Sequence, residues 1–448
     1  MTKSASIAAR TQATLDGIEK ENKTLKAFVT VTRVTALAEA ALADVREATG
    51  DDKRPLHGLA IAVKDIIDVA GVVSGCGSLT TKGSPPAAAD APVVQRLRDA
   101  GAIIPGKTHT VEYAFGGYGT NVTVGTPWNP WDRNVHRIPG GSSSGSGVAV
   151  GAGLVPGALG TDTGGSVRIP AALCGCVGLK TSIGRVGRSR VAPLSQTLDS
   201  IGPLACDVTT AARMFAAIQG WDAADPTTAG VVPVDPFPDL EKGISGLRFG
   251  RLPDAALPLA SEETKADFAA ALKVLADLGA RIEPVALPES IESLGAKCGR
   301  IIAPEAYANW RHFADDSGSG LAPPIRARMM AGKQMSSADY IGIIAAQERA
   351  IADFTHTFDR LDAILLPTIP FPAVPVAEVD ELVAPMAAHT RWVNYLNLAA
   401  LAIPTRLSKT GLPLSLQIVV RCFDDVLALR IGRAYEQARG AFPKPKGL

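Results

Sequence analysis

The sequence predicts an α/β fold, a central sheet covered by helices on both faces. Three observations carry this. Apolar runs of strand length recur along the chain, as at 59–63, 363–368 and 414–419. Longer stretches between them place apolar residues at helical spacing. The two kinds alternate, which suits a sheet with helices packed on it.

Taken in order, residues 5–49 read as helical, with an interruption near Lys23-Thr24. Residues 59–63 read as a short strand ending at Lys64-Asp65. Residues 90–100 make an amphipathic helix with Pro92 at its start, where a missing N–H is harmless. Residues 102–107 read as a strand and a turn. A helix over 148–152 follows one Gly/Ser corner, a buried strand over 154–159 comes next, and a helix over 169–172 follows a second corner. The charged, proline-rich stretch 222–242 reads as a linker or surface excursion. Beyond it come a strand at 247–249, a helix at 262–278, a strand at 281–285 and helices through 290–315 and 336–358. A strand at 363–368 enters a Pro-rich loop, 414–419 is another strand, and 426–438 is a closing helix.

The chain has 448 residues, too many for one small core. Its 45 basic and 44 acidic residues leave a formal charge of +1, which provides no basic field for nucleic acid and no acidic tail. No run approaches the ~20 apolar residues of a membrane span. The nearest, 147–160, is broken by glycines and Pro156. Met1-Thr2-Lys3-Ser4 opens no apolar signal segment, so a cytoplasmic location is expected. Cysteines stand at 76, 174, 176, 206, 298 and 422. They lack the second close pair or histidine cluster that zinc would want, and they read as buried reduced thiols.

The densest chemistry lies in Gly140-Gly141-Ser142-Ser143-Ser144-Gly145-Ser146-Gly147 and in Gly160-Thr161-Asp162-Thr163-Gly164-Gly165-Ser166-Val167-Arg168. Two Gly-Gly-Ser corners bring serine hydroxyls and free backbone N–H groups together, and those are the parts of an acyl-transfer site. Other uses of such loops fit less well. The Gly-Lys-Ser/Thr of a phosphate loop is not in place. Thr163-Gly164-Gly165-Ser166 lacks dinucleotide-binding spacing, with no acidic residue ~20 positions on. A flexible linker conflicts with the apolar elements that bracket each corner. Gly145-Ser146-Gly147 is only a degenerate nucleophile elbow. A Ser-His-Asp relay stays open in principle, but none of His57, His109, His136, His312, His356 and His389 sits where a base is marked.

The stretch 140–181 resembles the signature of the amidase signature family. The resemblance rests on Gly-Gly-Ser-Ser at 140–143, Gly-Thr-Asp at 160–162, Gly-Gly-Ser-Val-Arg at 164–168 and Cys-Gly-Cys-Val-Gly-Leu-Lys at 174–180. It extends to the lysine motif at 58–65, to Gly106-Lys107-Thr108 and to Asn129-Pro130-Trp131-Asp132. Near the end of the chain it includes Leu365-Leu366-Pro367-Thr368 and the run 411–417. It covers nearly the whole chain and implies one amidase domain over 1–448 around a mixed sheet. The catalytic core would lie at about 58–206, a helical and substrate-side excursion at about 222–360, and the closing strands and helix at 361–448.

The family uses a Ser–Ser–Lys triad, which the resemblance carries onto Ser166 as nucleophile, Ser142 as the serine on a cis peptide, and Lys64 as base. Ser143 competes with Ser142 for the middle role. Lysine can act as a base only when neutral, and the apolar run before Lys64 suits a lowered pKa. Without the resemblance, Lys64 would sooner be read as a surface lysine paired with Asp65 or Asp68. Backbone N–H groups of Thr163, Gly164, Gly165 and Ser166 would hold the oxyanion. Asp162 and Arg168 read as braces for the nucleophile loop, and Thr161 as a member of the serine network.

Substrate contacts are expected from Gly141, Tyr118, Arg137 and Trp310, with Tyr113, Phe115, Thr120 and Arg311 as further candidates. An arginine there would suit an acidic substrate. The family's Asn-x-x-Gly-x-Pro-Ala is altered here to Asn394-Tyr395-Leu396-Asn397-Leu398-Ala399-Ala400. Asn tolerates left-handed backbone as Gly does, so the fold should survive the change.

Three functions follow. The first expectation is a stand-alone hydrolase of a small amide, hydrazide or urea-like compound, since no basic extension faces a tRNA. The second is the glutaminase-type subunit of a complex that modifies aminoacyl-tRNA. The third is a catalytically dead binding protein, disfavoured because Lys64, Ser142 and Ser166 are all present. No metal or cofactor is expected, no nucleic acid or membrane partner, and a homodimer only by analogy.

Overall fold

Ile61-Ala62-Val63-Lys64 sets the pattern of the molecule. All four residues are buried, and alternate side chains enter different cores. Ile61 and Val63 join Leu159, Leu179 and Ile201 in the larger core, against the helix Val208–Ile218. Ala62 joins Ala158, Leu204 and Ala402 in a second core with Val148, Ala149 and Ala171, from the helices Ser144–Gly151 and Arg168–Cys174. A strand apolar on both faces lies inside a sheet covered by helices on both sides.

The computed structural model describes residues 5–50, 54–257, 259–381, 383 and 385–447. Its strands are β1 (Phe28–Val31), β2 (Ile61–Lys64), β3 (Gly106–Thr108), β4 (Gly157–Asp162), β5 (Val177–Lys180) and β6 (Ser200–Ala205), followed by β7 (Arg248–Arg251), β8 (Arg281–Pro284), β9 (Ala363–Pro367), β10 (Ala399–Leu407) and β11 (Pro413–Val420). They form an 11-stranded sheet in the order β1-β3-β2-β4-β6-β5-β10-β11-β9-β7-β8. The sheet is mixed. β2 runs parallel to β3 and β4, and β7 runs parallel to β8 and β9. Along the sheet, the neighbours in β4-β6-β5-β10-β11-β9 all pair antiparallel, as do β1 and β3. Among the described residues, no helix is long and apolar enough to cross a membrane.

The sequence expectation for 5–49 needs correction. The helix Ile7–Leu25 stops at Lys26, which is left-handed at φ 50°. Asn22 then takes both backbone groups of Phe28, its amide donating to the carbonyl at 2.9 Å and its oxygen accepting from the N–H at 2.8 Å. That clamp turns the chain into β1, which pairs antiparallel with β3 before the helix Arg33–Ala48. Within the stretch 222–360, the strands expected at 247–249 and 281–285 are present as β7 and β8. Asn397 has φ 52°, the left-handed backbone a glycine would otherwise supply. Cys76, Cys174, Cys176 and Cys298 are buried as expected, whereas Cys206 is exposed and Cys422 partly so.

Candidate active site

The parallel strands β2 and β4 bring Lys64, Thr161 and Asp162 together at their carboxyl ends, the usual place for a site in such sheets. Lys64, Lys107 and Lys180 are all wholly buried, but their partners differ. Lys107 faces the Asp65 carboxylate at 3.3 Å, and Lys180 donates to the carbonyls of Leu398 (2.8 Å) and Thr181 (3.1 Å). Lys64 meets two hydroxyls, Ser142 Oγ and Thr161 Oγ1, each at 2.7 Å. No carboxylate pairs with it among the described residues. Burial pushes its pKa down to about 7, against the pull of Asp199, Asp162 and Cys76. A surface lysine paired with Asp65 or Asp68 is therefore not what the structure contains.

Ser142 follows a cis peptide bond from Gly141. Its carbonyl accepts from the Val111 N–H and the Thr110 hydroxyl, both at 3.1 Å, and these fix the corner. Ser143 points elsewhere. Its hydroxyl donates to the Thr161 carbonyl at 3.3 Å and accepts the Thr161 N–H at 3.2 Å. Geometry thus puts Ser142, and not Ser143, beside Lys64. A Cβ on Gly141 would lie 2.7 Å from the Gly116 carbonyl oxygen and from the Gly119 nitrogen, so only glycine fits between the two loops.

Ser166 sits on a loop braced by a buried ion pair. Asp162 Oδ1 accepts from Arg168 Nη2 at 2.9 Å, and its carboxylate also takes the N–H groups of Gly165 (2.8 Å) and Val167 (3.1 Å). Arg168 donates further to Asn394 Oδ1 (2.6 Å), Gln417 Oε1 (2.7 Å) and the Thr390 carbonyl (3.1 Å). Burial alone would raise the Asp162 pKa; the charge and hydrogen bonds of Arg168, helped by Lys180 and Asn394, hold it well below the usual carboxylate range. Gly165 has φ 128°, and a Cβ there would fall on Thr390 Oγ1. The expectation that Gly165 offers its N–H to an oxyanion is corrected, because Asp162 occupies that N–H. The N–H groups of Thr163, Gly164 and Ser166 have no acceptor among the described residues, and all three residues line a cavity. The Thr163 hydroxyl is anchored to Asp199 at 2.5 Å.

The cavity holds about 330 Å³, the lower end of the range for small-ligand sites. Tyr118 and Phe115 line it, as expected. Gly141 does not; its N–H donates to the Gly117 carbonyl at 2.8 Å, behind the wall. Arg137 lies outside, tied to Asp132 (2.7 Å) and the Ala373 carbonyl (3.1 Å). Trp310 also lies outside, its indole N–H donating to the Pro193 carbonyl at 2.8 Å and its ring 4.4 Å from that of Tyr113. Arg311 is exposed. Three charged residues of the wall carried no signal in the sequence. Arg328 comes from the unforeseen helix Pro323–Lys333, Glu381 from the Pro-rich loop, and Arg391 from the short helix Arg391–Tyr395. No local motif surrounds any of them, and only folding brings them to Ser166.

The family model Amidase matches residues 9–429. Among curated relatives, a glutamyl-tRNA(Gln) amidotransferase subunit of Chloroflexus aurantiacus is 37% identical, over 95% of this chain and 92% of its own. Among solved structures, an inhibitor-bound vestigial protein complex, described as revealing the evolutionary origins of an s-triazine catabolic enzyme, superposes with a TM-score of 0.92. It is 31% identical, over 98% of this chain and 96% of that one. The corresponding glutamyl-tRNA(Gln) amidotransferase subunit of Thermotoga maritima gives a TM-score of 0.83 at 32% identity, over 98% and 94%. These relatives overturn the expectation of a lone enzyme on a small amide, without nucleic acid and with at most a second copy of itself. They are subunits and complexes, with a tRNA-directed enzyme among them. The near-zero net charge is a poor guide here because it describes a single chain, and in an assembly another subunit can carry the basic surface. With a family match across nearly its whole length and an α/β fold shared with those structures, the chain belongs to the amidase signature family and is a hydrolase of carbon–nitrogen amide bonds.

Proposed function

We propose that this chain is the glutaminase-type subunit of a tRNA-dependent amidotransferase. The observation that carries the reading is the likeness to the Chloroflexus amidotransferase subunit, 37% identical along 92% of that protein's length. In this reading the neutral Lys64 amine takes a proton from Ser142 Oγ, which takes one from Ser166 Oγ once bound substrate brings the two hydroxyls into contact. Ser166 Oγ attacks the amide carbonyl carbon. The N–H groups of Thr163, Gly164 and Ser166 receive the oxyanion. Collapse breaks the C–N bond, the proton returns through Ser142 to the nitrogen, and ammonia leaves. Water then attacks the acyl-enzyme, gives its proton to the same relay and releases the acid. The ammonia passes to a partner subunit.

The lysine sets the pH dependence. Only its neutral form accepts a proton, and its pKa lies at about 7. The rate constant kcat/KM is therefore expected to rise about tenfold per pH unit below 7 and to level off above it. A profile flat from pH 5.5 to 8.5 would remove Lys64 from the role of base.

The function is tested by purifying the tagged chain from the cells that make it and assaying the recovered complex. Glutamine-dependent formation of amidated glutamyl-tRNA(Gln), with ammonia release blocked by Ser166→Ala, is the expected result. A chain recovered alone, or a complex that ignores tRNA, would overturn it. The second of those outcomes would favour another reading, a small-amide hydrolase that works within a protein complex. The higher TM-score with the s-triazine enzyme complex, 0.92 against 0.83, supports that alternative.

A further inference from the structure

The cavity wall carries three charged side chains, Arg328, Glu381 and Arg391. Two of them neutralise each other. Arg328 Nη2 meets Glu381 Oε2 at 2.5 Å and the Glu381 carbonyl at 2.6 Å, while Nη1 donates to the Phe115 carbonyl at 2.7 Å. Glu381 also accepts the Thr120 hydroxyl. One positive charge is left over.

That charge is Arg391. Its guanidinium makes no hydrogen bond and no ion pair among the described residues, whereas Arg168, which reaches the same loop from below, has carboxylate, amide and carbonyl partners. A guanidinium has five N–H donors, and donors lining a cavity are met by water or by a ligand. The side chain is nevertheless held in place. Thr390, the residue before it, donates its hydroxyl to the Gly164 carbonyl at 2.7 Å and accepts from Arg168 with its own carbonyl. Arg391 is thereby registered against the loop that carries Ser166. A Cβ on Gly164 would lie 3.2 Å from Arg391 Cγ and 3.8 Å from its Nε. Gly299, one turn after Gly295 on the helix Ile291–Ala314, clears the other side, where a Cβ would sit 3.9 Å from Nη1. Burial lowers the pKa of this guanidinium; Cys298 offsets the effect and Arg328 reinforces it. An anion placed there would relieve both the burial and the repulsion from Arg328.

We propose that Arg391 is the anion-recognition residue of the cavity, and that the amide cleaved at Ser166 carries a carboxylate which this guanidinium grips. The inference rests on the amide-hydrolase reading of the site, but it names a binding group that can be measured without turnover. Arg328 is excluded from the part because Glu381 and two carbonyls already hold it.

The test is equilibrium binding to the full chain in a Ser166→Ala background, with its partner proteins if it is recovered with them. Calorimetry would compare succinamate, an anionic monoamide, with succinamide, its neutral counterpart. Succinamate is expected to bind more tightly. Arg391→Met should weaken succinamate binding about 10–100-fold and leave succinamide binding unchanged. Arg391→Lys keeps the charge but loses the two-pronged grip and should fall between the two. Unchanged succinamate affinity in Arg391→Met would overturn the proposal. An equal loss for both probes, or no preference for succinamate in the parent, would do so as well. If Arg391→Met fails to fold, Arg391→Lys alone decides the matter. Carboxylate binding that survives failure of the tRNA assay would sink the amidotransferase reading and leave this one standing.

Discussion

Ser166→Ala is expected to lower kcat for amide hydrolysis by a factor on the order of 10⁴–10⁶, with thermal unfolding unchanged. The size follows from the proposed relay. A nucleophile, a middle hydroxyl and a base act as one unit, so loss of the first disables the whole. The unchanged stability follows from the environment of Ser166, whose hydroxyl makes no hydrogen bond among the described residues and so leaves no partner stranded. Lys64→Ala should remove activity to a similar degree, but it will also cost stability, since it leaves the Ser142 and Thr161 hydroxyls buried without their partner. Ammonia release measured beside thermal unfolding separates the two effects. Activity of Ser166→Ala within about tenfold of the parent would remove Ser166 from the nucleophile's role.

Asp162→Ala should destabilise the protein by about 3–5 kcal/mol, because it leaves the wholly buried Arg168 charge without its counter-ion. It also strands the N–H groups of Gly165 and Val167 that shape the nucleophile loop. The sign with pH is set by the lowered carboxyl pKa. The stability that Asp162 contributes is complete above its unfolded value of ~3.9 and is lost only as pH falls through the lower folded value. Replacing both partners, as in Asp162→Ala with Arg168→Met, should recover part of the loss, since no buried charge then remains. Urea unfolding of the two variants measures this. A cost below about 1 kcal/mol for the single change would mean that the pair does not hold the loop.

The corner proposed for catalysis was legible in the sequence because its signals are local. Ser142 and Ser166 each follow a Gly-Gly pair, and Lys64 ends a short apolar strand. Strands β2 and β9 announced themselves as apolar runs. β5, β6 and β10 did not, because glycine, proline, serine and alanine dilute them; Gly178 and Gly202 lie in strands where backbone or side-chain atoms approach too closely for a Cβ. The helix Ser144–Gly151 starts earlier than expected for a related reason. Ser144-Gly145-Ser146-Gly147 is a poor helix former, but it packs where a Cβ on Gly147 would sit 2.8 Å from Pro170 Cβ. Tertiary closeness outweighs propensity there. The pocket was hardly legible. Tyr118 and Phe115 reach it, while Arg137 and Trp310 are tied up outside, and the free guanidinium of Arg391 comes from a segment more than two hundred residues beyond the nucleophile.

The brace behind Ser166 also fixes the order of events during synthesis. Arg168 waits for Gln417, which lies 249 residues later in the chain. At roughly 5–20 residues per second, some 12–50 s separate the emergence of the two. Through that interval the nascent chain already contains Lys64, Ser142 and Ser166 but lacks the strand whose Gln417 helps to brace the Ser166 loop. A fragment ending before β11 lacks Gln417, and it is expected to hydrolyse amides more slowly than the full chain.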